Sequence, residues 1–221
     1  MRRKIKYITL LWIPVFLVFV TCEPDHETID VSAISELPKF NYLGGQFISF
    51  EKGSLVTYVD PGVIATVGDE EVDVLYEVPV AIDVNQAGAY VIYYYAQNEE
   101  HLVSRGRRII SVTNGDVSDN DLSGDYIINI WEPVEVKVKK LNDQGWYSCS
   151  DVLGYPGVET KGEFVDIGNN QLYLLPGESD FSEYWFSEGT YSFTTLSWDI
   201  SFIEDPYYGI EIPVTLIKID E

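Results

Sequence analysis

Two short stretches concentrate the side chains best suited to holding a ligand. GESDFSEYWFSEG (177–189) sets Glu183, Tyr184 and Trp185 among turn-forming residues, and EDPYYGIE (204–211) sets Asp205, Tyr207 and Tyr208 beside a proline turn. Trp146 follows directly on the turn Asn142-Asp143-Gln144-Gly145. Tryptophan and tyrosine rings stack on the apolar C–H faces of sugars, and carboxylates accept hydrogen bonds from sugar hydroxyls. Rigid amphipathic side chains supply such contact at small entropy cost. The chemistry expected of Trp185, Tyr184, Tyr207, Tyr208 and Trp146, with Glu183 and Asp205 as hydroxyl partners, is capture of a ligand such as a glycan. The competing expectation is that these rings plug the ends of a β-fold, a common fate of large aromatics. Trp198, flanked at alternate positions by Leu196, Ile200 and Phe202, is read as core.

Catalysis has little to work with. The two histidines fall in polar segments, His26 near the N-terminus and His101 in a loop, so a nucleophile–histidine–acid arrangement has almost no material. His and Cys do not cluster as a zinc site requires, and there is no glycine-rich phosphate loop. Glycoside hydrolysis needs only two carboxylates, but among 36 Asp and Glu some pair always looks plausible. A non-enzyme without cofactor is therefore expected. Asp119, Asp121 and Asp125 match the first half of a D-x-D-x-S-G calcium loop, yet Ile130 occupies the position where the bidentate glutamate belongs. These aspartates read first as an interdomain linker and second as a weak calcium site.

The formal charge of −22 repels polyanions, so nucleic acid and bare anionic lipid are poor partners. Neutral glycans, cations and basic proteins remain compatible. Of the two cysteines, Cys149 lies on a strand pattern and is expected to be a small buried apolar residue.

The first residues carry an address. Arg2, Arg3, Lys4 and Lys6 precede an apolar run from Tyr7 to Val20. As a helix this run would reach about 21 Å, short of the roughly 30 Å hydrocarbon core, which suits a secretory signal. Val18-Phe19-Val20-Thr21-Cys22 resembles a bacterial lipobox, which implies lipidation of Cys22. The following Glu23, Asp25, Glu27 and Asp30 resemble the export signal of Bacteroidetes-type lipoproteins, implying an anchor in the outer membrane that faces outward; the alternative is a solvated tether facing the periplasm. The lipid anchor would be the sole contact with the membrane.

The rest reads as all-β. Val, Ile, Thr, Tyr and Phe alternate with polar residues, and turn formers punctuate at short intervals. The polar stretch Thr113 to Asp125 divides an early part from an aromatic-rich one. Tyr90, Ile92 and Tyr94 alternate with Val91, Tyr93 and Tyr95, giving a strand apolar on both faces, as in the centre of a sandwich. The order DPG (60–62), GAYVIYYYA (88–96) and RRIISV (107–112) resembles bacterial Ig-like domains. Tyr90 suits a tyrosine corner, with Ile92 where an immunoglobulin places its second cysteine. Residues 124–221, with VEVKVKK, GWYSCSD and LSWDISF, resemble C-terminal β-domains of uncharacterised lipoproteins associated with polysaccharide uptake in Bacteroidetes. The organisation expected is a signal at 1–21, an acidic tether at 22–37, an Ig-like β-sandwich at 38–113 and a linker at 114–123. An antiparallel sandwich or small barrel follows at 124–221. The resemblances imply a cell-surface lipoprotein that binds glycan beside outer-membrane uptake proteins. The alternative is a structural or adhesive protein with protein partners.

Overall fold

A computed structural model describes residues 35–185, 187–203 and 209–219. The signal, Cys22 and the tether up to residue 34 lie outside the described residues. Among those described, all regular structure is β and there is no helix.

Residues 39–113 form two sheets. β1 (Lys39–Tyr42), β3 (Val63–Val67) and β4 (Glu70–Val72) make one, in that order. β2 (Phe47–Glu51), β7 (Val103–Thr113), β6 (Gly88–Gln97) and β5 (Val74–Glu77) make the other, with β2 parallel to β7. The long β6–β7 hairpin pairs continuously from Gly88↔Val112 to Gln97↔Val103. Side chains alternate across a strand, so Tyr90, Ile92, Tyr94, Ile110 and Val112 point between the sheets and form their core. Ala89 and Ile109 point the opposite way, into a second apolar cluster that includes Val165, Ile167 and Leu175. The double apolarity of β6 thus has two separate causes, an inner core and a neighbouring domain.

That neighbour is a closed antiparallel barrel, which decides between the sandwich and the barrel for the second half. Its strands run β8 (Gly124–Ile128), β9 (Val134–Lys140), β10 (Trp146–Cys149), β11 (Gly162–Gly168), β12 (Gln171–Leu174), β15 (Ser187–Tyr191), β16 (Thr195–Ser201) and β17 (Glu211–Lys218). β17 closes the ring on β8 through Leu216↔Ile128. A small hairpin, β13 (Gly177–Glu178) and β14 (Glu183–Tyr184), is inserted between β12 and β15. Eight strands leave an interior that side chains can fill, and here they do. Val136 and Val138, Leu196, Trp198 and Ile200 point inward, while Tyr147 and Phe164 stack with centroids 5.1 Å apart. Cys149 is buried among them and its thiol is pushed up to about 12 by burial.

The two ends of the barrel are closed differently. At one, Val152 and Leu153 turn inward and Trp198 Nε1 donates to the Val152 carbonyl at 3.0 Å. At the other sits the stretch expected to be a linker, and it is not a loose spacer. Asn114 N–H donates to Ile167 O at 2.7 Å, Val117 and Leu122 are buried, and Asn120 Nδ2 donates to Asp166 Oδ2 at 2.7 Å. Asp116 and Asp121 each accept an N–H two residues on, from Ser118 and Ser123 at 2.9 Å. The same Asp, Asn and Ser residues that suggest a linker are building local turns.

Candidate functional site

Where the β6–β7 sheet leaves the barrel wall, a cleft of about 570 Å³ opens between them. Phe40 and Tyr42 of β1, Tyr93 of β6 and Arg105 of β7 line one side, with Glu178, Glu183 and Trp185 of the barrel insertion on the other. Gly106 matters here, because a Cβ at that position would come within 2.8 Å of the Phe40 ring and 2.5 Å of the Tyr42 hydroxyl. Its bare backbone lets both rings lie on β7.

The floor is fixed by Arg107. Its guanidinium donates to Pro176 O at 3.1 Å and pairs with Glu163 at 2.9 Å, joining the two walls. Arg105, two residues away on the same face of β7, lies 4.0 Å above the Tyr93 ring. It is exposed and has no carboxylate within ion-pairing distance among the described residues. Burial raises the Tyr42 and Tyr93 phenols above their ordinary value, so both stay protonated at neutral pH. Glu178 and Glu183 are directly paired across β13 and β14, so their side chains share one wall. From one wall they can accept hydrogen bonds from hydroxyl donors. The cleft therefore combines stacking faces, a guanidinium on an aromatic platform and acceptor carboxylates.

Of the residues singled out in the sequence, Glu183, Tyr184 and Trp185 come together at this cleft. Trp185 is half-buried, its backbone N–H donating to Ser201 O at 3.2 Å. Tyr184 borders the cleft from the barrel side, so its expected role as an exposed stacking ring requires correction. It is 1% exposed, belongs to the barrel core and donates its hydroxyl to Lys161 O at 3.1 Å. Strand alternation between Glu183 and Tyr184 turns one side chain out and the next in. Trp146 requires correction too: its indole stacks on Phe47 at 5.3 Å and donates to Glu163 at 2.7 Å, joining barrel to sheet. Tyr207, Tyr208 and Asp205 lie outside the described residues. Asp119, Asp121 and Asp125 do not converge. Asp125 pairs with Lys137 at 3.3 Å, and no group of three or more His, Cys, Asp or Glu among the described residues could hold a metal ion.

Sequence reasoning missed the contribution of the first domain: Phe40, Tyr42, Tyr93 and Arg105. The available signal was Arg105 and Arg107 alternating on the face of β7 opposite Arg108. No protein-family model matches this chain, and no curated protein matches it either. Among solved structures, a lipoprotein from Bacteroides thetaiotaomicron is similar at 21% identity, covering 82% of this chain and 100% of its own, with a TM-score of 0.34. Likeness at that level carries over neither a site nor an activity.

Proposed function

We propose that this chain is a non-catalytic lipoprotein of the bacterial cell surface, anchored through Cys22, that captures glycan in the cleft between its two β-domains. The observation that carries the reading is that Trp185 and Glu183 stand on one wall of the cleft and Arg105, seated on the buried Tyr93 ring, on the other. Aromatic faces and hydrogen-bonding side chains in a concave site are what sugar recognition needs. The anchor rests on the basic head, the short apolar run and the lipobox-like Val18–Cys22 segment. In this reading the first domain is an Ig-like spacer, supported by the Tyr90 hydroxyl reaching back to the Asp83 and Gln86 carbonyls at 3.3 Å. Its outer face also contributes half of the site. Outer-membrane glycan uptake proteins are the expected neighbours.

The test is native affinity electrophoresis of the chain from Glu23 onward through gels holding plant, host and microbial polysaccharides. Retardation by one class, lost in Trp185→Ala with little change in melting temperature, is the expected result. A folded sample that no polysaccharide retards would sink the proposal. The adhesive reading is favoured by one observation, the exposed Val59 and Tyr76 beside the seam between the two sheets. It predicts binding to a surface protein and indifference to soluble polysaccharide.

A further inference from the structure

A second aromatic surface lies beyond the hairpin that walls the cleft. In an antiparallel barrel, alternate connections emerge at the same end, so the β8–β9 turn, the β10–β11 loop and the β12–β15 insertion share one end. Each contributes one ring to a chain of contacts there. Trp131 meets Tyr155 at 5.2 Å and 68°, and Tyr155 meets Phe181 at 4.8 Å and 76°. Phe181 packs against the barrel core, whereas Tyr155 and Trp131 are 40% and 43% exposed. Trp131 is the one exposed tryptophan among the described residues. A tryptophan left in water contributes little to folding, since most of the stabilisation from a large ring comes with its burial.

The loops that carry Tyr155 and Phe181 are held by hydrogen bonds. Asp151 is buried and accepts the Leu153 and Gly154 N–H groups, each at 2.9 Å, fixing the loop just before Tyr155. Ser179 Oγ accepts from Phe181 and Ser182 N–H at 3.2 Å, closing the turn that carries Phe181. Preorganised rings bind with less ordering cost than mobile ones.

We infer that Trp131, Tyr155 and Phe181 form an outer contact region for the same glycan that enters the cleft, so that the ligand is an extended neutral polysaccharide and not a short oligosaccharide. This rests on the glycan reading of the cleft. The hairpin supplies the continuity: Glu178 and Glu183 on its strands face the cleft, and its turn presents Phe181 to Tyr155. A chain leaving the cleft across the hairpin meets the rings in the order Phe181, Tyr155, Trp131. Neutrality follows from charge along the outer path, where Glu178, Asp180 and Glu183 occupy the hairpin and Glu132 follows Trp131 in a chain of net charge −22, while the exposed cation of the cleft, Arg105, is seated on the Tyr93 ring. A polyanion laid along that path would be repelled.

The experiment uses the chain from Glu23 onward, with starch, xyloglucan, galactomannan, arabinan, homogalacturonan and heparin as probes. It compares each polymer that binds with its own short oligosaccharides by titration calorimetry. Trp131→Ala is expected to weaken polymer binding roughly tenfold or more, as loss of one of two linked contacts does, and to leave oligosaccharide affinity unchanged. Trp185→Ala is expected to weaken both. Trp131→Phe, which keeps a stacking face, should recover most of the polymer affinity and shows that the loss is not one of folding. Equal polymer affinity in Trp131→Ala and the parent chain, alongside sensitivity to Trp185→Ala, overturns the outer region alone. Preference for homogalacturonan or heparin overturns neutrality. Failure of every probe to bind a folded sample overturns the cleft reading and this one with it.

Discussion

Arg108, near the middle of β7, has its guanidinium fully buried and pairs with Asp60, the first residue of the Asp-Pro-Gly turn. The rest of the guanidinium is satisfied by backbone. Nε donates to Gly45 O at 3.0 Å, and Nη2 donates to Leu43 O at 2.7 Å and Gly62 O at 2.9 Å. Asp60 in turn accepts the Tyr94 hydroxyl at 2.8 Å, the Tyr58 hydroxyl at 3.2 Å and the Gly62 N–H at 3.2 Å. Burial, with the Asp60 charge adding to it, pushes the Tyr58 phenol up to about 12, so it remains a donor. The turn needs Gly62 in the left-handed region, at φ 85°. One ion pair therefore ties the sheet that forms the cleft wall to two loops of the opposite sheet.

Removing one partner of such a pair leaves the other uncompensated. Asp60→Ala should lower unfolding stability by up to about 3–5 kcal/mol, the range for breaking a buried pair, because Arg108 is fully buried while Asp60 is 27% exposed; the loss is read as a shift in the urea midpoint. A loss of less than about 1 kcal/mol, as for a surface pair, would show that water replaces the carboxylate at this site.

Tyr184 separates a structural from a ligand-binding role. Tyr184→Phe should lose about 1 kcal/mol, one hydrogen bond to Lys161 O, and Tyr184→Ala about 3–5 kcal/mol from the cavity left in the barrel. Glycan affinity should be unchanged in Tyr184→Phe. A fall in affinity with unchanged stability would return the hydroxyl to the binding site.

The legibility of the chain follows what its patterns encode. Alternation in VEVKVKK and LSWDISF placed Val136, Val138, Trp198 and Ile200 on inward faces, because period two is a property of any strand with one buried side. Barrel closure depends on β17 meeting β8 across some ninety residues, and no local pattern records that pairing. The apolar outer face of β6 was visible, but Ala89 and Ile109 carry no mark saying that Val165 and Ile167 cover them. In the site, Trp185 and Glu183 were legible from the turn-rich setting. The burial of Tyr184 is not legible, because a two-residue strand gives no periodicity from which to assign a face. Trp131 and Tyr155 became visible as partners only once the loops of one barrel end met.

Trp146 should hold the two domains to a common unfolding transition. Its stack on Phe47 and its bond to Glu163, which also pairs with Arg107, span the apolar contact between sheet and barrel. The parent chain is expected to melt in one calorimetric transition and Trp146→Ala in two, with the sheet domain melting separately from the barrel. A double-mutant cycle with Phe47→Ala should give a coupling of about 0.5–1.5 kcal/mol. A single transition at an unchanged midpoint in Trp146→Ala would show that the remaining contacts suffice.

Asp166 should make acid stabilising over part of the pH range. Its carboxylate is buried and accepts from Asn120 Nδ2 at 2.7 Å, the Tyr191 hydroxyl at 3.3 Å and the Gly168 N–H at 2.8 Å. Burial raises its pKa above the ordinary 3.8, and these hydrogen bonds and Lys140 only partly oppose the rise. A folded-state pKa above the unfolded one means that the native chain binds more protons in the interval between them. The contribution is complete below the unfolded value and is lost as pH rises through the folded one. Asp116 and Asp121, held below 3.8 mainly by hydrogen bonds from Ser118 and Ser123, act oppositely and lose their contribution at still lower pH. Relief of the general negative charge stabilises any variant alike, so the useful quantity is the difference between the parent chain and Asp166→Asn. On going from neutral pH to about pH 4, near the unfolded value, that difference in urea midpoint should move in favour of the parent chain. Once protonated, its carboxyl can donate to the Tyr191 oxygen in place of accepting from it. A difference that stays constant, or moves toward Asp166→Asn, would mean that Asp166 titrates as a solvated carboxylate and that water reaches this end of the barrel.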